Sequence, residues 1–161
     1  MLKWLWLSLI IIILDQITKI AAASNLMMFT PVSVFPGFNL TLMHNTGAAF
    51  SFLSDAGGWQ RWFFTVLAIG VSIFIMFWLH KLPKHEKLNA IALSMIVGGA
   101  IGNVIDRIRL GYVIDFLDVY VGNAHWPAFN IADSAISVGA VLLIVLSFKS
   151  ESKTTNEKSK A

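Results

Sequence analysis

The chain has 161 residues, 57% of them hydrophobic and 13% charged, with a formal net charge of +3. A soluble domain carries about 25% charged residues, so this composition excludes a water-soluble globule and makes lipid the solvent. The absence of cysteine excludes disulfides, thiolate metal sites and a cysteine nucleophile, and the small positive excess bears on membrane orientation rather than on nucleic acid.

Four apolar runs stand out, at 5–23, 62–79, 88–105 and 131–148. Each is about 18 residues or slightly more, which as helix reaches roughly 27 Å, near the hydrocarbon thickness of a bilayer. The runs are continuous rather than alternating, so they read as helices and not as barrel strands. The expected fold is an all-α membrane protein of four transmembrane helices, one domain over 1–148, with a polar tail at 149–161 that lacks fixed structure. Lysines mark Lys3, the 80–87 connector (Lys81, Lys84, Lys87) and the tail (Lys149, Lys153, Lys158, Lys160). The positive-inside rule places these regions, and both termini, in the cytoplasm. The stretches 24–61 and 106–130 then face outward.

Residues 1–23 admit two readings. Lys3, the apolar run 4–14 and Ala21, Ala22 and Ala23 fit a cleavable signal peptide, whereas Asp15, Gln16, Thr18 and Lys19 break that pattern. In a retained helix Asp15 and Lys19 form an i,i+4 pair, acid first. Lys19 then either snorkels to the headgroups with Asp15 as its partner, or Asp15 points inward and braces a site.

The outward stretch 24–61 holds Pro31, Pro36 and Gly37, then two short apolar runs, 38–45 and 48–53, joined by Thr46 and Gly47. This predicts a small extracytoplasmic β-hairpin on the membrane surface above the bundle. Asn45 and Gly47 are turn residues on this reading. His44 is a lone histidine with no ligand pattern, and Trp59 and Trp62 fit an interfacial aromatic belt. In the third apolar run, Gly98 and Gly102 form a small-xxx-small pair that admits a close neighbour. Asn103, Asp106 and Arg107 follow at i, i+3, i+4, and Asp106 with Arg107 reads as a polar pair that fixes the helix end.

Gly111 interrupts the pattern before Asp115, which sits among apolar neighbours that raise its pKa by desolvation. Asp118 reads as a solvated charge. Trp126 and Pro127 give an interfacial anchor and a stiff turn. Asn130 and Asp133 then stand at i, i+3 where the fourth helix begins, and a charge there is favourable in its own right. Ionisable groups at membrane depth are costly and tend to mark function. Asp115 and Asp133 flank one loop, so they can meet and share a proton. Two other chemistries also use membrane carboxylates. A metal-dependent headgroup transferase needs a denser acidic motif than Asp106, Asp115 and Asp118 supply. An ion-coupled transporter needs internal repeats, and the sequence has none.

Five motifs stand in order: Asp15-Gln16-x-Thr18-Lys19, Asn45-x-Gly47-Ala48-Ala49-Phe50, Gly102-Asn103-x-x-Asp106-Arg107, Val113-x-Asp115-Phe116 and Phe129-Asn130-x-Ala132-Asp133. Together they closely resemble the bacterial lipoprotein signal peptidases, also called signal peptidase II. The resemblance implies a monomeric aspartyl endopeptidase of the bacterial inner membrane with its active site near the extracytoplasmic face. Such an enzyme needs no cofactor and no metal. It cleaves prolipoproteins on the N-terminal side of a diacylglyceryl-modified cysteine, and its partners are that substrate and membrane lipid. Asp115 and Asp133 match the catalytic pair. Asp15, Asn45, Gly47, Asn103, Asp106, Arg107, Asn130 and Ala132 match residues that surround it. The family keeps its first helix, which sets aside the cleaved-leader reading.

Overall fold

The computed structural model describes residues 1–47 and 57–158, with side chains as far as residue 149. Four long helices carry the apolar runs: α1 (Leu5–Asn25), α2 (Trp59–Lys81), α3 (Lys87–Arg109) and α4 (Ile131–Lys158). All four are long and apolar enough to cross a membrane, the last over Ile131–Lys149. The helical backbone of α4 runs on through the polar tail to Lys158, where composition alone implied no fixed structure.

α3 is the central helix, packed against α4, α1 and α2. Lipid tails are as apolar as leucine, so close packing rather than water exclusion holds such helices together. Small residues provide it. A Cβ on Gly98 would lie 2.9 Å from the Ser8 backbone of α1, and one on Gly139 of α4 would lie 2.7 Å from the Ala92 carbonyl oxygen. Far from the sheet, Ile75, Leu79, Leu82, Ala90, Leu93 and Val97 close an apolar core. Helix α1 is a full member of this bundle, as a retained first helix requires.

A four-stranded antiparallel sheet caps the end of the bundle where α1 and α3 finish and α2 and α4 start. Its order is β1 (Val32–Phe35), β2 (Phe38–Asn45), β3 (Val113–Val121), β4 (Ala124–His125). Strands β1 and β2 form a hairpin through Pro36 and Gly37, whose φ of +91° suits glycine. This differs from the expected pairing of 38–45 with 48–53. The described neighbours of β2 are β1 and β3, and residues 48–53 lie outside the described residues. Strand β3 comes from the stretch between α3 and α4, so the sheet ties the α1–α2 and α3–α4 connections together. Between Leu40↔Leu117 and Met43↔Asp115 the register slips by one residue, a bulge in β2 beside Asp115.

Candidate active site

The site lies where β3, the start of α4 and the sheet-side ends of α1 and α3 converge. Helix α3 reaches Arg109, so Asp106 and Arg107 are in its last turn and not in a loop. Asn130 caps α4. Its carbonyl accepts the Ser134 N–H at 3.1 Å, and its Oδ1 accepts the Asp133 N–H at 2.9 Å. That leaves the Asn130 Nδ2 group to donate, and it does so to Asp115 Oδ1 at 2.7 Å and to the Ile114 carbonyl at 3.2 Å.

Two further asparagines obey the same logic. Asn45 Oδ1 accepts the Gly47 N–H at 3.0 Å, which turns its Nδ2 to Asp115 Oδ2 at 3.0 Å. Asn103 Oδ1 accepts from the Lys19 ammonium at 2.8 Å, which turns its Nδ2 to Asp133 Oδ1 at 2.7 Å. An ammonium or a backbone N–H can only donate, so each amide has one possible orientation. All three present N–H groups to a carboxylate. Hydrogen bonds of this kind favour the ionised carboxylate.

Asp115 feels opposing influences. Burial drives its pKa up, the negative charge of Asp133 adds to that, and the Asn45 and Asn130 bonds with the Lys19 cation oppose it; the result is about 7. A carboxyl poised there can hold or release a proton near neutral pH.

Behind the pair lies a buried ionic cluster. Lys19 is 1% exposed and does not snorkel. Its Nζ lies 2.9 Å from Asp15 Oδ2, 2.9 Å from Asp106 Oδ2 and 2.8 Å from Asn103 Oδ1. Asp15 Oδ1 accepts the Ala132 N–H at 2.9 Å, so α1 is bound to the first turn of α4. Asp106 also accepts from Gln16 Nε2 at 2.9 Å and from the Ile114 N–H at 3.2 Å, next to Asp115. Gly102 makes room for this: a Cβ there would stand 2.7 Å from Asp15 Oδ2. Of the two readings of Asp15, the inward-pointing brace is the one observed. Lys19 and Gln16 belong to this cluster although neither stands among the expected site residues. Apart from Asp15, their partners lie more than 80 positions away, beyond the reach of local pattern.

Arg107 does not pair with Asp106, because adjacent helical residues point about 100° apart. Its Nη2 donates to the Gly47 carbonyl at 3.1 Å and its guanidinium lies 5.5 Å from the Phe64 ring. Arg107, Asp133, Asn103 and Asn45 line a cavity of about 560 Å³, walled by apolar residues that include Val113, Trp126, Phe129 and Val138.

Asp118 is also not the solvated charge that the sequence suggested. Three positions along β3 from Asp115, it faces the other side of the strand and is 3% exposed. It accepts from Thr41 Oγ1 at 2.9 Å and Asn39 Nδ2 at 3.3 Å, and lies 2.7 Å from His125 Nδ1. Burial alone would raise its pKa, but the bonds from His125, Thr41 and Asn39 outweigh that and hold it below the ordinary value. His44 stacks on Tyr112 with centroids 3.9 Å apart, a packing role. Among the described residues no group of three or more His, Cys, Asp or Glu is arranged to hold a metal ion.

A four-span bundle with a buried cluster of carboxylates and amides beneath a sheet at one end defines a multi-pass membrane enzyme. The chain belongs to the signal peptidase II family, a group of bacterial membrane proteases: residues 7–149 match the family model described as "Signal peptidase (SPase) II". It is 53% identical to a lipoprotein signal peptidase of Alteromonas mediterranea, over 97% of this chain and 86% of that protein. It is 58% identical to one of Acinetobacter baumannii, over 91% of this chain and 84% of that protein. Among solved structures it is similar to a bacterial membrane enzyme determined by the in meso method at 2.3 Å, with a TM-score of 0.85 and 31% identity over 94% of this chain and 90% of that one. A second such enzyme, at 1.9 Å, gives a TM-score of 0.79 and 32% identity over 91% of this chain and 93% of that one.

Proposed function

We propose that this chain is an aspartic endopeptidase that removes the signal peptide from diacylglyceryl-modified prolipoproteins, cleaving on the N-terminal side of the lipidated cysteine, with Asp115 and Asp133 as the catalytic pair. The observation that carries the reading is that Asn130 holds the Asp115 carboxylate of β3 through its Nδ2 and the Asp133 backbone N–H of α4 through its Oδ1, close enough for the Asp133 charge to act on Asp115, with Asp133 lining a largely apolar cavity. Two carboxyl groups so placed titrate as a unit and share one proton. The ionised member takes a proton from water as its oxygen attacks the scissile carbonyl. The protonated member gives its proton to the carbonyl oxygen, forming a tetrahedral diol. The carboxyl that took the proton from water then passes it to the departing amine as the C–N bond breaks, and the diol returns its hydroxyl proton to the other carboxylate, which restores the pair. No covalent intermediate is required. Asp15, Asn45, Gly47, Asn103, Asp106, Arg107, Asn130 and Ala132 act as the frame: the three amides aim the carboxylates, and the Lys19 cluster fixes the helices that carry them. The enzyme sits in the bacterial cytoplasmic membrane as a monomer, both termini cytoplasmic and the site near the extracytoplasmic face.

The test is cleavage of a lipidated prolipoprotein by purified Asp115→Asn and Asp133→Asn. Asparagine keeps the shape but cannot exchange the proton, so each variant should lose roughly 10²- to 10⁴-fold in rate, the usual worth of such a group. The double variant should be hardly slower than either single one, since the pair acts as one unit. Near-normal turnover by either single variant would end the aspartic reading.

A further inference from the structure

Three strands share a buried polar cluster on the face of the sheet that turns away from the carboxylate pair. Asp118 of β3 is buried there with Thr41 and Asn39 of β2, and Thr41 Oγ1 and Asn39 Nδ2 both donate to Asp118 Oδ2. Asp118 Oδ1 is left for His125 of β4, whose Nδ1 lies 2.7 Å away. A carboxylate only accepts, so Nδ1 is the ring nitrogen that donates. The His125 ring also stacks on Tyr120, its cross-strand partner, with centroids 5.1 Å apart. A buried carboxylate is costly unless its oxygens are satisfied, so a cluster of this kind fixes one arrangement of the strands that share it.

Strand β4 depends on such an anchor, because it has only two residues, Ala124 and His125. The next residue, Trp126, donates its N–H to the Val119 carbonyl at 2.8 Å and so continues the ladder. Successive residues of a strand point to opposite faces. With His125 drawn to Asp118 on one face, Trp126 is turned to the other, the side of Asp115, where it walls the cavity with Asp133 and Arg107. Pro127 follows and has no N–H to give, and the chain is tied to β3 again at Phe129, paired with Leu117. A one-residue slip of β4 would exchange its two faces and withdraw the indole from the cavity.

We propose that Asp118 and His125 are positioning residues for substrate capture: from the far face of the sheet they brace the Trp126 indole as a wall of the cavity. This rests on the peptidase reading above, in which the substrate reaches that cavity. Neither Asp118 nor His125 lines the cavity, so the brace acts on binding and not on the proton transfers.

The His125 side chain is 48% exposed, so its removal leaves the fold intact. With a lipidated prolipoprotein as substrate, His125→Ala should raise KM on the order of 10-fold, the scale of a lost aromatic contact, and nearly keep kcat. Asparagine sets an N–H donor where the imidazole Nδ1 stands, so His125→Asn should recover most of the loss. Trp126→Ala should raise KM as far, and the double variant His125→Ala/Trp126→Ala should be no worse than Trp126→Ala alone. Additive losses, a loss in kcat rather than KM, a lower melting temperature with KM unmoved, or His125→Asn no better than His125→Ala overturns the proposal. A substrate-free measurement separates the brace from the peptidase reading. In protein carrying 5-fluorotryptophan, Trp126→Phe identifies one of six fluorine NMR signals. His125→Ala should shift that signal and leave those of Trp4 and Trp78, at the other end of the bundle, in place; His125→Asn should restore it. An unmoved Trp126 signal overturns the brace. Wild type that cleaves nothing while its Trp126 signal follows His125 refutes the peptidase reading and supports the brace.

Discussion

Lys19 has three N–H donors and three acceptors at 2.8–2.9 Å, Asp15, Asp106 and Asn103, so every donor of a buried ammonium is used. Removing the cation leaves two buried carboxylates, 0% and 2% exposed, without their shared countercharge. Lys19→Met should therefore cost about 3–5 kcal/mol, the penalty for breaking a buried ion pair. Adding Asp106→Asn should recover part of that loss. Unfolding of the single and double variants in mild detergent, titrated with a denaturing one, checks both; a double variant weaker than Lys19→Met refutes the charge argument. Asp115 allows a sign to be worked out as well. Its folded pKa, about 7, lies above the ordinary 3.8, so between those values the folded protein binds the extra proton. Its contribution to stability is complete below about pH 4 and is lost as pH rises through about 7. Asp115→Asn lacks this dependence. Over that range wild-type stability should fall relative to the variant, and a constant difference would contradict the burial argument.

At the scale of elements, α3 approaches its neighbours through residues that have no room to grow. A Cβ on Gly139 would stand 2.7 Å from the backbone oxygen of Ala92, whereas one on Gly70 in α2 would meet nothing within 4 Å. Gly139→Ala should cost about 1–3 kcal/mol, as overpacking does, and should slow cleavage by moving the helix that carries Asp133. Gly70→Ala should change neither stability nor rate, and equal effects at the two sites would refute the close-approach account. The same elements show what a single sequence makes legible. The four spans were readable because helices in lipid must be long and continuously apolar, and Asp115 and Asp133 because carboxylates there are conspicuous. Strand β3 was not: residues Val113–Phe116 are buried on both faces, so no alternation marks them. The expected Asp106–Arg107 pair failed because spacing reports which face a residue shares, not which partner waits across it. Asp118 looked solvated because Thr41 and Asn39, which satisfy it, are nearly 80 positions away.

At the scale of the whole molecule, the two ends of the bundle differ in chemistry. The sheet, the cavity and the carboxylate pair occupy one end. Lys3, Lys81, Lys84 and Lys87 belong to the terminus and the connector at the other. Lysines near span ends are retained in the cytoplasm during insertion, so the sheet end should be extracytoplasmic, where a substrate with its lipid in the outer leaflet can reach the cavity from the side. Cysteines at Asn123, in the β3–β4 turn, and at Lys84, between α2 and α3, report on opposite ends. A membrane-impermeant thiol reagent added to intact cells should modify Asn123→Cys and leave Lys84→Cys untouched until the membrane is opened. Four antiparallel spans with a one-sided sheet permit no mixed result, so labelling of both sites from outside would break the bundle topology itself. Labelling of Lys84→Cys alone would keep the fold but invert it, and the carboxylate pair would then face the wrong leaflet for the proposed reaction.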